Sequence, residues 1–189
     1  MVQKSGQLKD ADLDFITPTM VRLFSLFLDN PMKQYHEREA VKLTRVSKGS
    51  ANKILRHLSS LEFLTVESRG RMKLYQLNTA DPVVRQFKIL RNIFALRKLL
   101  DSLRSNSRRI VLFGSCAQGS DVRESDIDLL VVTADEKSAA RKRIDEFNAK
   151  SERRIAPIIV DANEFVKLKR EDRPLYENID RGIVLWQAE

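Results

Sequence analysis

Apolar positions recur at helical spacing from the first ordered stretch onward. Val21, Phe24, Phe27 and Leu28 follow Thr17-Pro18, where a proline in the first turn costs no hydrogen bond. Asp29-Asn30-Pro31 ends that helix, and the ten or so polar residues ahead of it are expected to fray. A second, short helix fits His36–Leu43, with Ala40, Val41 and Leu43 apolar among charged neighbours. Thr44-Arg45-Val46 is then a tight connection, and Ser47 is a good N-cap for a third helix.

The third helix, Lys48 to Leu61, is the most periodic of the first half. Ala51, Ile54, Leu55, Leu58 and Leu61 make one apolar stripe, while Gly49, Asn52, Lys53, Arg56 and Ser60 fall on the opposite face. Two β-like runs follow, Phe63–Glu67 and Met72–Leu77, around Ser68-Arg69-Gly70-Arg71. Gly70 supplies the positive φ that a hairpin turn needs.

Three helices followed by a basic-tipped hairpin resemble a winged helix-turn-helix of the bacterial and archaeal regulator type, over residues 15–80. The resemblance implies that the third helix enters the major groove of DNA with Ser47, Lys48, Asn52, Lys53 and Arg56. The wing would set Arg69 and Arg71 against the phosphates. A winged helix used for protein contacts is the competing reading.

Residues 82–104 read as one long helix opened by Asp81-Pro82. It has two apolar stripes: Val83, Phe87, Leu90 and Phe94, and then Ile89, Ile93, Leu96, Leu100 and Leu103. Two stripes predict burial on two sides, between domains, within the monomer, or against a second copy in a homodimer. The expected organisation is therefore a winged-helix domain over 1–80, a linker helix over 81–106 and a further domain over 107–189.

Charge sharpens this division. Residues 1–105 hold 19 Lys and Arg against 10 Asp and Glu, and residues 106–189 hold 15 against 16, so the net +8 of the 189-residue chain lies in the first half. A basic half joined to a neutral one suggests that one part meets a polyanion, although a basic surface kept for solubility gives the same count. Aromatic residues are only 7% of the chain, which leaves little for base stacking on single-stranded RNA. A single cysteine excludes an internal disulfide and fits a reducing compartment. The longest apolar runs, Ile110–Phe113 and Leu129–Val132, are too short for a bilayer, and no secretory h-region is visible, so a soluble cytoplasmic protein is expected.

The chemistry concentrates in residues 108–134. The apolar run Ile110–Phe113 stops at Gly114-Ser115, Gly119-Ser120 closes a short turn or helix, and a second strand starts at Ser125-Asp126-Ile127-Asp128 and runs through Leu129–Val132. Strand alternation places Asp126 and Asp128 on one face. Two such carboxylates repel unless a cation lies between them, and Mg²⁺ or Mn²⁺ shared with phosphate removes that repulsion. A glycine turn from strand to helix exposes backbone N–H groups to an anion, and Ser115 adds a hydroxyl donor.

The string Gly114-Ser115-x-Ala117-x-Gly119 through Ser125-Asp126-x-Asp128 resembles the minimal nucleotidyltransferase group of the DNA polymerase beta superfamily. The resemblance covers residues 107–189, including a closing strand Arg181-Gly182-Ile183-Val184-Leu185-Trp186. It implies an α+β protein whose last domain is a polymerase-beta-type fold with a mixed sheet. Gly114 and Ser115 would bind NTP, and Asp126 and Asp128 would be the catalytic metal ligands. The implied activity is transfer of NMP from NTP to an acceptor hydroxyl. The acceptor can lie on a protein, since the minimal group includes antitoxins that nucleotidylate a HEPN-type toxin.

That family usually has a third carboxylate on the next strand, here Arg154–Val160, after a basic amphipathic helix, Lys137–Lys150. Its interior, Ile155, Ala156, Ile158 and Ile159, is uncharged, and Asp161-Ala162-Asn163-Glu164 has the spacing of a helix capping box. Asp161, the nearest acid, is either that third carboxylate or, on the favoured reading, an N-cap; in the second case Ala156 takes the third-acid position and the general base is missing. The alternative function is a transcription regulator whose nucleotidyltransferase domain binds nucleotide but turns over weakly or not at all. Among lesser residues, Cys116 reads as a small spacer, although a helix N-terminus would lower its pKa. His36 and His57 lack ligand spacing. Arg123 either meets a phosphate or pairs with Glu124.

Overall fold

The chain divides between Asn78 and Thr79 into two compact units. The computed structural model describes residues 16–134 and 136–188, so the expected fraying of the N-terminus lies outside the described residues.

In the first unit, α1 (Pro18–Asp29) is capped by the Thr17 hydroxyl, which accepts from Met20 N, and it buries Met20, Leu23, Phe24, Phe27 and Leu28. Next come β1 (Tyr35–His36), α2 (Glu37–Thr44) and α3 (Lys48–Ser60). The Ser47 hydroxyl caps α3, and Ala51, Leu55 and Leu58 of the expected stripe are buried. The hairpin β2 (Leu64–Arg69) and β3 (Met72–Leu77) turns at Gly70, whose φ is +61°. The antiparallel sheet has the order β1-β3-β2. The two-residue strand β1 was not expected: it pairs Tyr35 with Tyr75, and the residue that follows, His36, caps α2 by accepting from Glu39 N. Phe24 stacks on Phe63, and Phe27 meets Tyr35 edge-on, joining the helices to the sheet.

In the second unit, α4 (Pro82–Leu103) is capped by Asp81 and leads to β4 (Ser107–Phe113), α5 (Gly114–Gln118) and β5 (Ile127–Thr133). Then follow α6 (Lys137–Asn148), β6 (Ile155–Val160), α7 (Ala162–Glu171), α8 (Arg173–Asp180) and β7 (Ile183–Gln187). The mixed sheet has the order β6-β5-β4-β7, with β5 and β6 parallel and the other pairs antiparallel. One face carries a core of Leu96, Leu100, Leu103, Leu112, Leu129, Val131, Ile144 and Ile155, closed by α4 and α6. The other carries Val111, Phe113, Leu130, Val132 and Ile179, closed by α7 and α8.

The two stripes of α4 do not behave alike. Leu96, Leu100 and Leu103 are buried, whereas Val83, Leu90 and Phe94 of the other stripe are exposed. The buried face instead takes in Lys88 and Asn92, each 2% exposed. Apolar periodicity alone could not show this, because these two polar side chains find partners inside the domain.

Candidate functional site

The antiparallel register of β4 and β5 sets Phe113 opposite Asp128, so the chain leaves β4 at Gly114 beside the start of β5. Gly114 has φ +66°, and a Cβ there would overlap Asp128 Oδ2. The Asp128 carboxylate therefore lies directly against the backbone of the turn, which only glycine permits. No side chain caps the start of α5, and Gly119, with φ +67°, ends it.

Asp126 lies one residue ahead of β5 and is exposed, while Asp128 is half-buried within it. Burial, and secondarily the charge of Asp126, pushes the Asp128 carboxyl above the usual range for an aspartate. A half-buried acid with a second, exposed one close by fits a divalent cation, which would offset both the burial of Asp128 and the repulsion between the two. The parallel register pairs Asp128 with Ala156, and β6 carries no acid between Ile155 and Val160. Among the described residues no cluster of three or more His, Cys, Asp or Glu side chains is arranged to hold a metal. Asp161 makes the full capping box with Glu164: its carboxylate accepts from Glu164 N at 2.9 Å, and Asp161 N donates to Glu164 Oε2 at 2.9 Å.

Behind the turn lies a buried polar cluster that spacing did not disclose. Asp121, 1% exposed, accepts from Asn92 Nδ2 at 3.1 Å and from Arg153 Nη1 at 3.0 Å, and its carbonyl accepts from Lys88 Nζ. Asn92 Nδ2 also donates to the Cys116 carbonyl at 3.0 Å, and Arg153 Nη1 donates to Asn92 Oδ1 at 3.0 Å. The only hints in the sequence were a lysine and an asparagine on the otherwise apolar face of α4. Desolvation pulls the Lys88 ammonium below its ordinary pKa. Cys116 is fully buried and its thiol is pushed up by that burial, so the lowering at a helix N-terminus does not occur. Arg123 pairs with Glu152 at 3.6 Å rather than with Glu124.

The first unit presents a second candidate surface. A cavity of 750 Å³ is lined by Arg38 of α2, Lys48, Asn52 and Arg56 of α3, and Arg69, Arg71 and Lys73 of the hairpin. Five of the expected DNA-facing residues thus share one basic groove. Lys53 lines a different cavity with Thr17, Met20 and His57, and the Ser47 hydroxyl is engaged in capping. Asn52 Nδ2 donates to Glu37 Oε2, and Arg69 Nε pairs with Glu67 Oε1 at 2.7 Å.

Residues 96–184, which hold this turn and both acids and lie within the second unit, match the family model described as "Nucleotidyltransferase domain". No curated protein matches the chain. Among solved structures, it is 18% identical to a proposed nucleotidyltransferase from Sulfolobus solfataricus, covering 58% of this chain and 93% of that one at TM-score 0.39. It is 13% identical to TrmBL2, an archaeal chromatin protein whose structure shows a novel mode of DNA binding, covering 90% and 73% of the two chains at TM-score 0.32. No described helix is long and apolar enough to cross a membrane.

Proposed function

We propose that this chain is a DNA-binding protein whose second unit holds a nucleoside triphosphate together with Mg²⁺ or Mn²⁺. The observation that carries the nucleotide site is the glycine turn lodged against Asp128, with Asp126 two residues away in a matched nucleotidyltransferase domain. Gly114 and Ser115 bind the phosphates, the serine through its hydroxyl, and Asp126 and Asp128 hold the metal. The cation neutralises phosphate and carboxylate charge where they meet. The order of three helices and a β2–β3 hairpin supports reading the first unit as a winged helix, with the Arg56 and Arg71 groove meeting phosphates. The register partner of Asp128 is an alanine, which favours a site that binds nucleotide without an enzyme-borne base. The protein is then a nucleotide-responsive regulator.

Titration calorimetry with Mg²⁺ and each common NTP tests this reading. Saturable heat with the parent and none with Asp126→Asn and Asp128→Asn supports it, and no heat at millimolar nucleotide sinks it.

The retained acid pair favours a second reading, NMP transfer to an acceptor hydroxyl with release of pyrophosphate. Label from an α-³²P-NTP that appears on an acceptor with the parent and is lost in Asp128→Asn would establish it.

A further inference from the structure

We propose that Arg153, outside both halves of the nucleotide site, is the positioning residue that fixes their relative placement. It rests on the reading of Gly114, Ser115, Asp126 and Asp128 as that site. The metal side and the phosphate side belong to different segments, and α5 is too short to brace itself. One guanidinium joins them. Arg153 Nε and Nη2 donate to the Ser125 carbonyl at 3.3 and 3.2 Å, one residue ahead of Asp126. Nη2 also lies 3.0 Å from Cys116 Sγ in α5, and Nη1 reaches Asp121 Oδ2 and Asn92 Oδ1. Asn92 carries the link onward to the Cys116 carbonyl, and Cys116 Sγ lies 3.5 Å from the Asp126 carbonyl.

The chemistry of this cross-link needs arginine. Its rigid fork addresses four acceptors, whereas a lysine is a single point that keeps the charge and loses the span. Asp121, 1% exposed, is there to hold that fork: a carboxylate so buried must be paired, and it is paired with Arg153 at 3.0 Å. Arg153 touches neither the proposed ligand groups of Asp126 and Asp128 nor the Ser115 hydroxyl, so its action on nucleotide is indirect.

The test uses the full chain carrying Arg153→Lys, and separately Asp121→Asn, with two readouts. Hydrogen exchange should rise in the amides from Gly114 to Asp128, while α7 and β7 keep the parent's protection. A general loss of stability would speed exchange everywhere. Mg-ATP affinity should fall by about 10–100-fold, the usual cost of removing an outer positioning partner. Should Arg153→Lys leave exchange in that segment unchanged, or raise it equally across the domain, the inference is overturned. If exchange rises locally but the parent itself shows no heat with Mg-ATP, the cross-link stands and the nucleotide reading falls.

Discussion

A Cβ placed on Gly114 would overlap Asp128 Oδ2 and lie 3.0 Å from Asp128 Cγ. The two residues are coupled: the turn takes its path because Asp128 occupies the space above it, and Asp128 can face the turn because position 114 has no side chain. Gly114→Ala therefore meets two penalties, the left-handed φ and the overlap. It should destabilise the protein by about 1–3 kcal/mol in urea denaturation. Its Mg-ATP affinity should fall more than that of a surface variant of equal stability. A variant with parental affinity would show that Asp128 does not need its present position.

The register that sets Ala156 beside Asp128 gives a gain-of-function prediction. Ala156→Asp adds a carboxylate on the same face of the neighbouring strand. Without metal, like charges side by side should cost about 0.2–1 kcal/mol, with the Asp128 pKa raised further. With Mn²⁺ the order should reverse, and electron paramagnetic resonance should show tighter binding than in the parent. NTP turnover that appears only in the variant would identify the parent as a binding site lacking its third acid. Mn²⁺ affinity no higher than the parent's would separate Ala156 from the metal.

Arg56 and Arg71 line one groove, whereas Arg69 of the same hairpin is paired with Glu67. Every cation withdrawn from a DNA phosphate should reduce the slope of log K against log salt by about 0.9, so Arg56→Ala and Arg71→Ala should each flatten it by about that amount on duplex DNA. Glu67→Gln should act in the opposite sense, releasing Arg69 and strengthening binding at low salt. Filter binding or anisotropy across a salt series reads all three, and unchanged slopes would remove the groove from the DNA interface.

Much of this was legible in the chain because periodicity and capping are local. The stripe of α3, the turn at Gly70, the abrupt end of β4 at Gly114 and the capping box at Asp161 each depend on residues a few positions apart. The polar cluster was not legible, since Lys88, Asn92, Asp121 and Arg153 come together only when three segments pack, and their burial depends on mutual satisfaction. The strand β1 was missed for a related reason: two residues carry no alternation, and Tyr35 and His36 become a strand only because β3 offers an edge. Apolar spacing alone did not tell the two stripes of α4 apart: Leu96, Leu100 and Leu103 are buried, whereas Val83, Leu90 and Phe94 are exposed in the single chain.

The capping box offers a test of Asp161 by pH. Hydrogen bonds from the backbone, first that of Glu164, hold the Asp161 carboxyl below its ordinary value of 3.8, and Lys137 does the same for Glu164 below 4.5. The unfolded chain binds protons first as pH falls, so both acids stabilise the fold above their unfolded values. That contribution is lost as pH drops through the lower folded values. Asp161→Asn keeps a good cap without an ionisable group. It should melt close to the parent at neutral pH, lose less stability than the parent on acidification below about pH 4, and bind Mn²⁺ and Mg-ATP unchanged. Melting curves across pH and one nucleotide titration suffice. A variant with parental melting at neutral pH but no Mn²⁺ binding would make Asp161 a metal ligand, and Ala156 would no longer mark a missing acid.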